Sequence, residues 1–269
     1  MYPLEPRAGE IVRLAAQGAW LTAETEALLS AIGVGPGWHC LDLACGLGDV
    51  TRLMAARAGA TGRVVGLDLE RRFLDHAGAC AAGSVAYLQG DACRTGLPEA
   101  SFDLVHGRFL FTGGERFAAL LAEAIRLVRP GGVVALQEQD LACMACFPPH
   151  PAFARLKALL GAGLEQSGTG RSVARRLFGM LRQAELQDVR YRPFLVGCQA
   201  GDPQADWLPD TVDSLRGPLL RAGLTSCAVL DETMAACRTH LADPGTTATI
   251  YAVVQVWGRK GGGEAASAD

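Results

Sequence analysis

Lysine is nearly missing from these 269 residues. Only Lys157 and Lys260 are present, and the rest of the 25 basic residues are arginine. With the many alanines and 33 glycines, this reads as coding bias from a GC-rich genome rather than as an RNA-binding device. Positive charge is also short overall. The 28 acidic residues leave a formal charge of −3, so no electrostatic footprint for nucleic acid is visible. No apolar stretch approaches the ~20 residues that span a bilayer. The opening Met1-Tyr2-Pro3-Leu4-Glu5-Pro6 lacks the basic-then-apolar layout of a secretory signal. The expected setting is cytoplasmic, away from membranes. The nine cysteines are odd in number and scattered, which suits reduced, buried thiols. Cys143-Met-Ala-Cys146 has no second pair and no histidines at matching spacing, so no metal site is expected. No internal repeat is visible. An apolar content of 49% is enough for a substantial core.

What is present is an alternation of short apolar runs and helical periodicities. The first 30 residues read as helical, with Thr22 placed to cap a helix start, until Gly33-Val-Gly-Pro-Gly37 breaks the pattern. Strands are predicted at 38–43, 63–68, 85–90, 102–107, 132–138, 187–196 and 249–257. Helices are predicted at 49–58, 70–82, 115–128, 152–165 and 172–184. Strands interleaved with helices argue for a mostly parallel sheet covered on both faces. Residues 141–151 read as a Pro-rich loop and 203–243 as an irregular helical segment. Residues 261–269 read as a disordered tail.

The densest signal is Leu41-Asp42-Leu43-Ala44-Cys45-Gly46-Leu47-Gly48. A strand ends in a carboxylate, a glycine-bearing turn follows, and a helix begins with Val50, Leu53 and Met54 on one face. Glycines let backbone approach a ligand closely. A dinucleotide site would want glycine at position 51, where Thr51 stands. An acid before the turn suits a cationic ligand end better than a pyrophosphate. Asp68 closes the second strand and can accept both ribose hydroxyls or cap the next helix. Asp91 closes the third, as an acceptor for an exocyclic amine or as a turn residue.

Asp42-x-Ala44-x-Gly46-x-Gly48 resembles motif I of the class I S-adenosylmethionine-dependent methyltransferases, with Ala44 at the first glycine. Val64-Val-Gly-Leu-Asp68, Gln89-Gly-Asp91-Ala92, Ser101-Phe-Asp-Leu-Val-His106 and Leu127-Val-Arg-Pro-Gly-Gly132 follow in the family's order. The resemblance covers roughly residues 38–138 and looks closest to the ubiquinone/menaquinone-biosynthesis branch. It implies an α/β, Rossmann-like, mostly parallel seven-stranded sheet with helices on both faces, an antiparallel last strand and a helical lid. The expected parts are an N-terminal helical lid over 1–30, a cofactor domain over 31–200 and 244–260, and an inserted substrate lid over 201–243.

The implied cofactor is S-adenosyl-L-methionine, held by Gln17, Asp42, Ala44, Gly46, Gly48, Asp68, Leu69, Asp91, Ala92 and Arg108, with Phe73 beside Leu69 as an apolar wall. Arg13 shares a helix face with Gln17. His106 and Asp140 are the candidate catalytic groups, His106 as a general base. Glu138 and His150 lie near the same rim. Phe111, Phe147, Trp207 and Leu215 are candidate walls of an apolar substrate pocket. The implied reaction is methyl transfer to an O, N or C nucleophile of a small molecule such as a secondary metabolite. The alternatives are a non-methylating cyclisation or rearrangement on the same fold, or a non-catalytic binding partner. Nucleic-acid and membrane partners are not expected. A homodimer is left open.

Overall fold

The computed structural model describes residues 9–80, 85–110, 114–166, 173–262. Two helices, α1 (Glu10–Trp20) and α2 (Thr22–Ile32), precede the sheet. Thr22 does not cap α2. Its hydroxyl donates back to the Gly18 carbonyl, 3.2 Å away. The strands are β1 (His39–Leu43), β2 (Arg63–Asp68), β3 (Val85–Gln89), β4 (Phe102–Arg108), β5 (Val128–Asp140), β6 (Ala145–Phe147), β7 (Gln187–Gln199) and β8 (Thr247–Arg259). Between them lie α3 (Asp49–Ala58), α4 (Arg71–Ala79), α5 (Gly114–Leu127), α6 (Pro151–Gln166), α7 (Val173–Gln183), α8 (Trp207–Asp213), α9 (Arg216–Arg221) and α10 (Cys227–Leu241).

β3, β2, β1, β4 and β5 pair in parallel in that order. β8 joins β5 antiparallel, and β7 flanks β8 on its far side. The sheet therefore has eight strands among the described residues, not the seven expected. The extra one is β6, inside the segment read as a loop. β8 extends past β5, and Ala145–Phe147 pairs with its free start at Thr247–Thr249. Three residues among prolines give no alternation to read. β8 alone runs against the others, because β6 and β7 both lie antiparallel to it.

Side-chain alternation sorts the sheet into two faces. Cys40, Leu104 and Val133 pack with Leu28, Leu29, Val50 and Met54 of α2 and α3. Leu41, Val105 and Val134 pack with Phe117, Leu121, Leu177 and Leu181 of α5 and α7. A third cluster joins α6, α8, α9 and α10 to Ile250, Tyr251 and Val253 of β8. This helical lobe stands over the end of the sheet where the parallel strands finish. Phe111 and most of the presumed tail lie outside the described residues.

Candidate active site

The turn after β1 is built from left-handed backbone. Ala44, Gly46 and Gly48 have φ of 52°, 54° and 77°. Two of the three are glycine, which adopts that region freely, whereas alanine is strained there. The turn is pinned from several sides. Cys45 N donates to Leu67 O (3.0 Å) and Gly46 N to Asp68 Oδ2 (2.8 Å). Arg52 donates to Leu47 O (2.8 Å) and Asp49 Oδ1 (2.6 Å). A side chain at Gly46 would meet no atom within 4 Å, so that side of the turn is open. One at Gly48 would strike the Tyr87 hydroxyl, and one at Gly18 would strike Asp49, which α1 covers. Ala44→Gly is expected to raise stability by ~1 kcal/mol by relieving the left-handed strain. Urea unfolding checks this, and a destabilised variant would contradict it.

Asp42 is buried beneath the turn. Its Oδ2 accepts from Thr51 Oγ1 (2.7 Å), and its Oδ1 lies 2.9 Å from His106 Nδ1. Asp68, at the end of β2, also accepts from Glu70 N (2.9 Å). Burial pushes the Asp68 carboxyl above its ordinary value, with the Glu70 and Gly46 amides pulling the other way. Next to it Leu69 is 44% exposed, an apolar side chain partly open to solvent. Asp91 accepts from Cys93 N and from Arg116, both 2.9 Å away. Burial works against its charge, but the Cys93 amide and the Arg116 guanidinium more than offset it and hold it below the ordinary value. Ala92 is buried beside it.

Across the turn, Arg108 ends β4 and donates to Thr25 Oγ1 at 3.3 Å. Burial pulls its pKa down, while Asp49, Asp42 and Tyr251 act in the opposite direction. Tyr251 on β8 is fully buried, and burial pushes its hydroxyl up to about 12. It accepts from Gln17 Nε2 (3.3 Å), and Gln17 Oε1 accepts from Arg13 (3.1 Å). The Tyr251 ring meets Trp207 edge-on at 4.9 Å and Phe109 at 6.1 Å. Gln139 pairs with Val253 and so shares a sheet face with Tyr251, two residues along. Trp207 Nε1, Thr211 Oγ1 and Gln139 Nε2 are buried without a hydrogen-bond partner.

Residues 40–132 match the family model for a methyltransferase domain. A demethylmenaquinone methyltransferase of Bacillus licheniformis is 28% identical over 186 residues, 64% of this chain and 80% of that protein. A putative methyltransferase structure from Bacillus halodurans superposes with a TM-score of 0.61 at 16% identity, over 89% of this chain and 99% of that one. A Haemonchus contortus phosphoethanolamine N-methyltransferase, solved with S-adenosylhomocysteine, gives 0.57 at 16% identity over 89% and 52%. Residues 40–132 carry a methyltransferase domain, and the chain is similar to class I S-adenosylmethionine-dependent methyltransferases. It is an enzyme that moves a methyl group from S-adenosylmethionine to a small molecule.

In this methyltransferase the two sequence candidates for catalysis are both engaged by other protein groups. His106 is fully buried, with Nδ1 at Asp42 and Nε2 at 2.9 Å from Gln137 Nε2. No ring nitrogen is left to take a substrate proton. The sequence put it near the rim because β4 ends two residues later, but it lies one pleat deeper, between β1 and β5. Asp140 is held by Arg175 (2.6 Å) and caps the turn at Ala142 N (3.0 Å). Its carboxylate is spent on the connection to β6. Phe73 is core, 2% exposed. Leu215 is buried within the lobe, and Phe147 is 71% exposed and points outward. His150 stacks on His240, with ring centroids 4.4 Å apart. The sequence reading missed Gln137, Gln139, Tyr251 and Gln255. Amides inside the runs Val133-Val-Ala-Leu-Gln137 and Val253-Val-Gln255-Val-Trp257 were the available sign, since polar groups there need partners.

Proposed function

We propose that this methyltransferase holds the adenosine of S-adenosylmethionine at Asp68, Leu69, Asp91 and Ala92. The methionine end meets the turn Ala44–Gly48, with Asp42 beneath it and Gln17 and Arg108 beside it. The donor set suits that ligand. An open turn with glycine at 46 lets a ligand approach the backbone closely, an exposed leucine offers an apolar wall, and carboxylates and a guanidinium match the ligand's charged ends. S-adenosylmethionine, when bound, supplies an electrophilic methyl on a sulfonium. The chain's own residues orient the reactants and exclude water, which contributes up to ~7–11 kcal/mol in favourable cases.

The acceptor site is placed under the lobe of α6 and α8–α10, which with α1 serves as the lid. One observation carries this placement. The orphaned donors Trp207 Nε1 and Gln139 Nε2 belong to residues beside Tyr251, one by ring contact and one by strand register, and Thr211 Oγ1 lies one turn beyond Trp207. Buried polar groups without partners cost ~1–3 kcal/mol each, and a bound molecule rich in acceptor oxygens would satisfy them. The relative's name points to an oxygen-bearing ring system, and the apolar surroundings of Tyr251 favour a small or medium-sized molecule. Secondary metabolites of this kind are the proposed acceptors, handled in the cytoplasm. Nucleic acid is not a proposed acceptor, given the net charge of −3. With methyl-labelled S-adenosylmethionine and a panel of hydroxylated aromatics including demethylmenaquinone, label is expected in the product with one S-adenosylhomocysteine per turnover. Conversion of an acceptor without label transfer would defeat the reading.

A further inference from the structure

The hydroxyl of Tyr251 has a proton to give and no described residue to take it. Arg13 donates to Gln17 Oε1 (3.1 Å), so Gln17 turns its amide nitrogen toward Tyr251, whose oxygen accepts at 3.3 Å. Burial raises this hydroxyl to about 12, which keeps it a donor. Beside it stand the unpartnered Trp207 Nε1, which can only donate, and Gln139 Nε2. The carboxylates around these donors are engaged elsewhere. Glu10 on α1 holds Arg13 (2.7 Å) and Asp49 at the start of α3 holds Arg52 (2.6 Å). Asp210 and Asp213 on α8 are paired with Arg238 and Arg216. Asp42 is met by Thr51 and His106, and Asp140 by Arg175. Glu138 faces the other side of the sheet, and both ring nitrogens of His106 are taken. Among the described residues this region therefore offers donors and no base.

In the cofactor placement above, Asp42 answers the ligand's ammonium and Arg108 its carboxylate, which leaves the sulfonium without a counter-charge from the protein. We infer that the acceptor supplies it: the molecule methylated is an acidic hydroxyl compound, a phenol or enol that arrives ionised and seats its oxyanion on the Tyr251 hydroxyl, with Trp207 Nε1 and Gln139 Nε2 as further donors. This rests on the cofactor and acceptor placements proposed above and narrows the acceptor atom to oxygen. The acceptor loses its proton to solvent before binding, so the protein needs no base. An electron pair of the oxyanion then forms the O–C bond, the C–S bond breaks, and its pair stays on sulfur. The two opposite charges cancel, leaving a neutral ether and S-adenosylhomocysteine. Hydrogen bonds to an ionised oxygen are roughly twice as strong as those to a neutral one, and opposite charges attract strongly where water is excluded. Both effects select the ionised acceptor.

The test uses 4-nitrophenol, whose neutral and ionised forms absorb at different wavelengths, and wild type saturated with sinefungin, an unreactive analogue whose ammonium replaces the methylsulfonium. At a pH about one unit below the probe's own pKa, the ratio of ionised to neutral probe is expected to be at least about tenfold higher bound than free. Exchanging sinefungin for neutral S-adenosylhomocysteine is expected to shrink that preference. Tyr251→Phe and Trp207→Phe keep an aromatic ring in place and remove one donor each. Each is expected to lower the preference for the ionised form about threefold or more, whereas simple loosening of the fold would weaken both forms alike. A probe bound mainly as the neutral phenol, or a preference unchanged in the variants, overturns the inference and leaves the acceptor placement standing. A protein that binds sinefungin but not the probe overturns the acceptor placement, and this inference with it. Wild type that does not bind sinefungin overturns the cofactor placement itself.

Discussion

Asp68→Ala is expected to reduce S-adenosylmethionine affinity by about 100-fold or more. The residue does two jobs at once. Its oxygens accept from Gly46 N and Glu70 N, so it ties the glycine turn to the end of β2. It also presents a carboxylate where the resemblance places the ribose hydroxyls. Hydrogen bonds to a charged group contribute ~1.5–3 kcal/mol each, and removing the acceptor leaves two amides unsatisfied. A drop in unfolding temperature should accompany the loss of binding. Calorimetry on the folded variant separates the two effects. Unchanged affinity would remove Asp68 from the cofactor site, whatever happens to stability.

The second large effect concerns Glu138, which faces the opposite side of the sheet from Gln137. It is 9% exposed, and its Oε1 accepts from Leu110 N at 2.9 Å. Burial pushes its carboxyl from 4.5 up to about 8, with the Leu110 and Gln139 amides only partly countering. A folded-state value above the unfolded one means that the native protein holds a proton the unfolded chain has released. Below the ordinary glutamate value both states are protonated and this group adds no slope. Between there and about pH 8 stability falls by roughly 1.4 kcal/mol per pH unit. Above that both states are ionised and the loss is complete. Glu138→Gln keeps an acceptor for Leu110 N and cannot ionise. Urea unfolding at several pH values across this window should therefore show wild type losing stability that the variant retains, and parallel profiles would refute the assignment.

The parts of the fold legible in the sequence are those specified locally. β2 and α3 were read to the residue because a short apolar run ending in a carboxylate, and a helix opened by a glycine turn, carry their own boundaries. The glycine turn and the carboxylates that end β1 and β2 were legible for the same reason. What escaped depends on residues far apart in the chain. His106 looked like a rim base because its partners Asp42 and Gln137 are contributed by β1 and β5, 64 residues before it and 31 after it. No local pattern could reveal that both ring nitrogens are occupied. Phe147 looked like a pocket wall because it is aromatic, yet β6 turns it outward. Tyr251 sits in an apolar strand and gives no sign that its hydroxyl meets a glutamine on the first helix.

The place of β8 has a consequence for how the chain comes together. The last of the eight strands to be synthesised is an inner one, with β5 and β6 along one side and β7 along the other. Until Thr247–Arg259 arrives, β5 and β7 are both unpaired along the sides that β8 later fills, the kind of edge that recruits other chains. A ribosome pausing shortly before Thr247 would therefore leave both strands unpaired at once, so the nascent protein should depend on chaperone protection mainly until Thr247–Arg259 has been made.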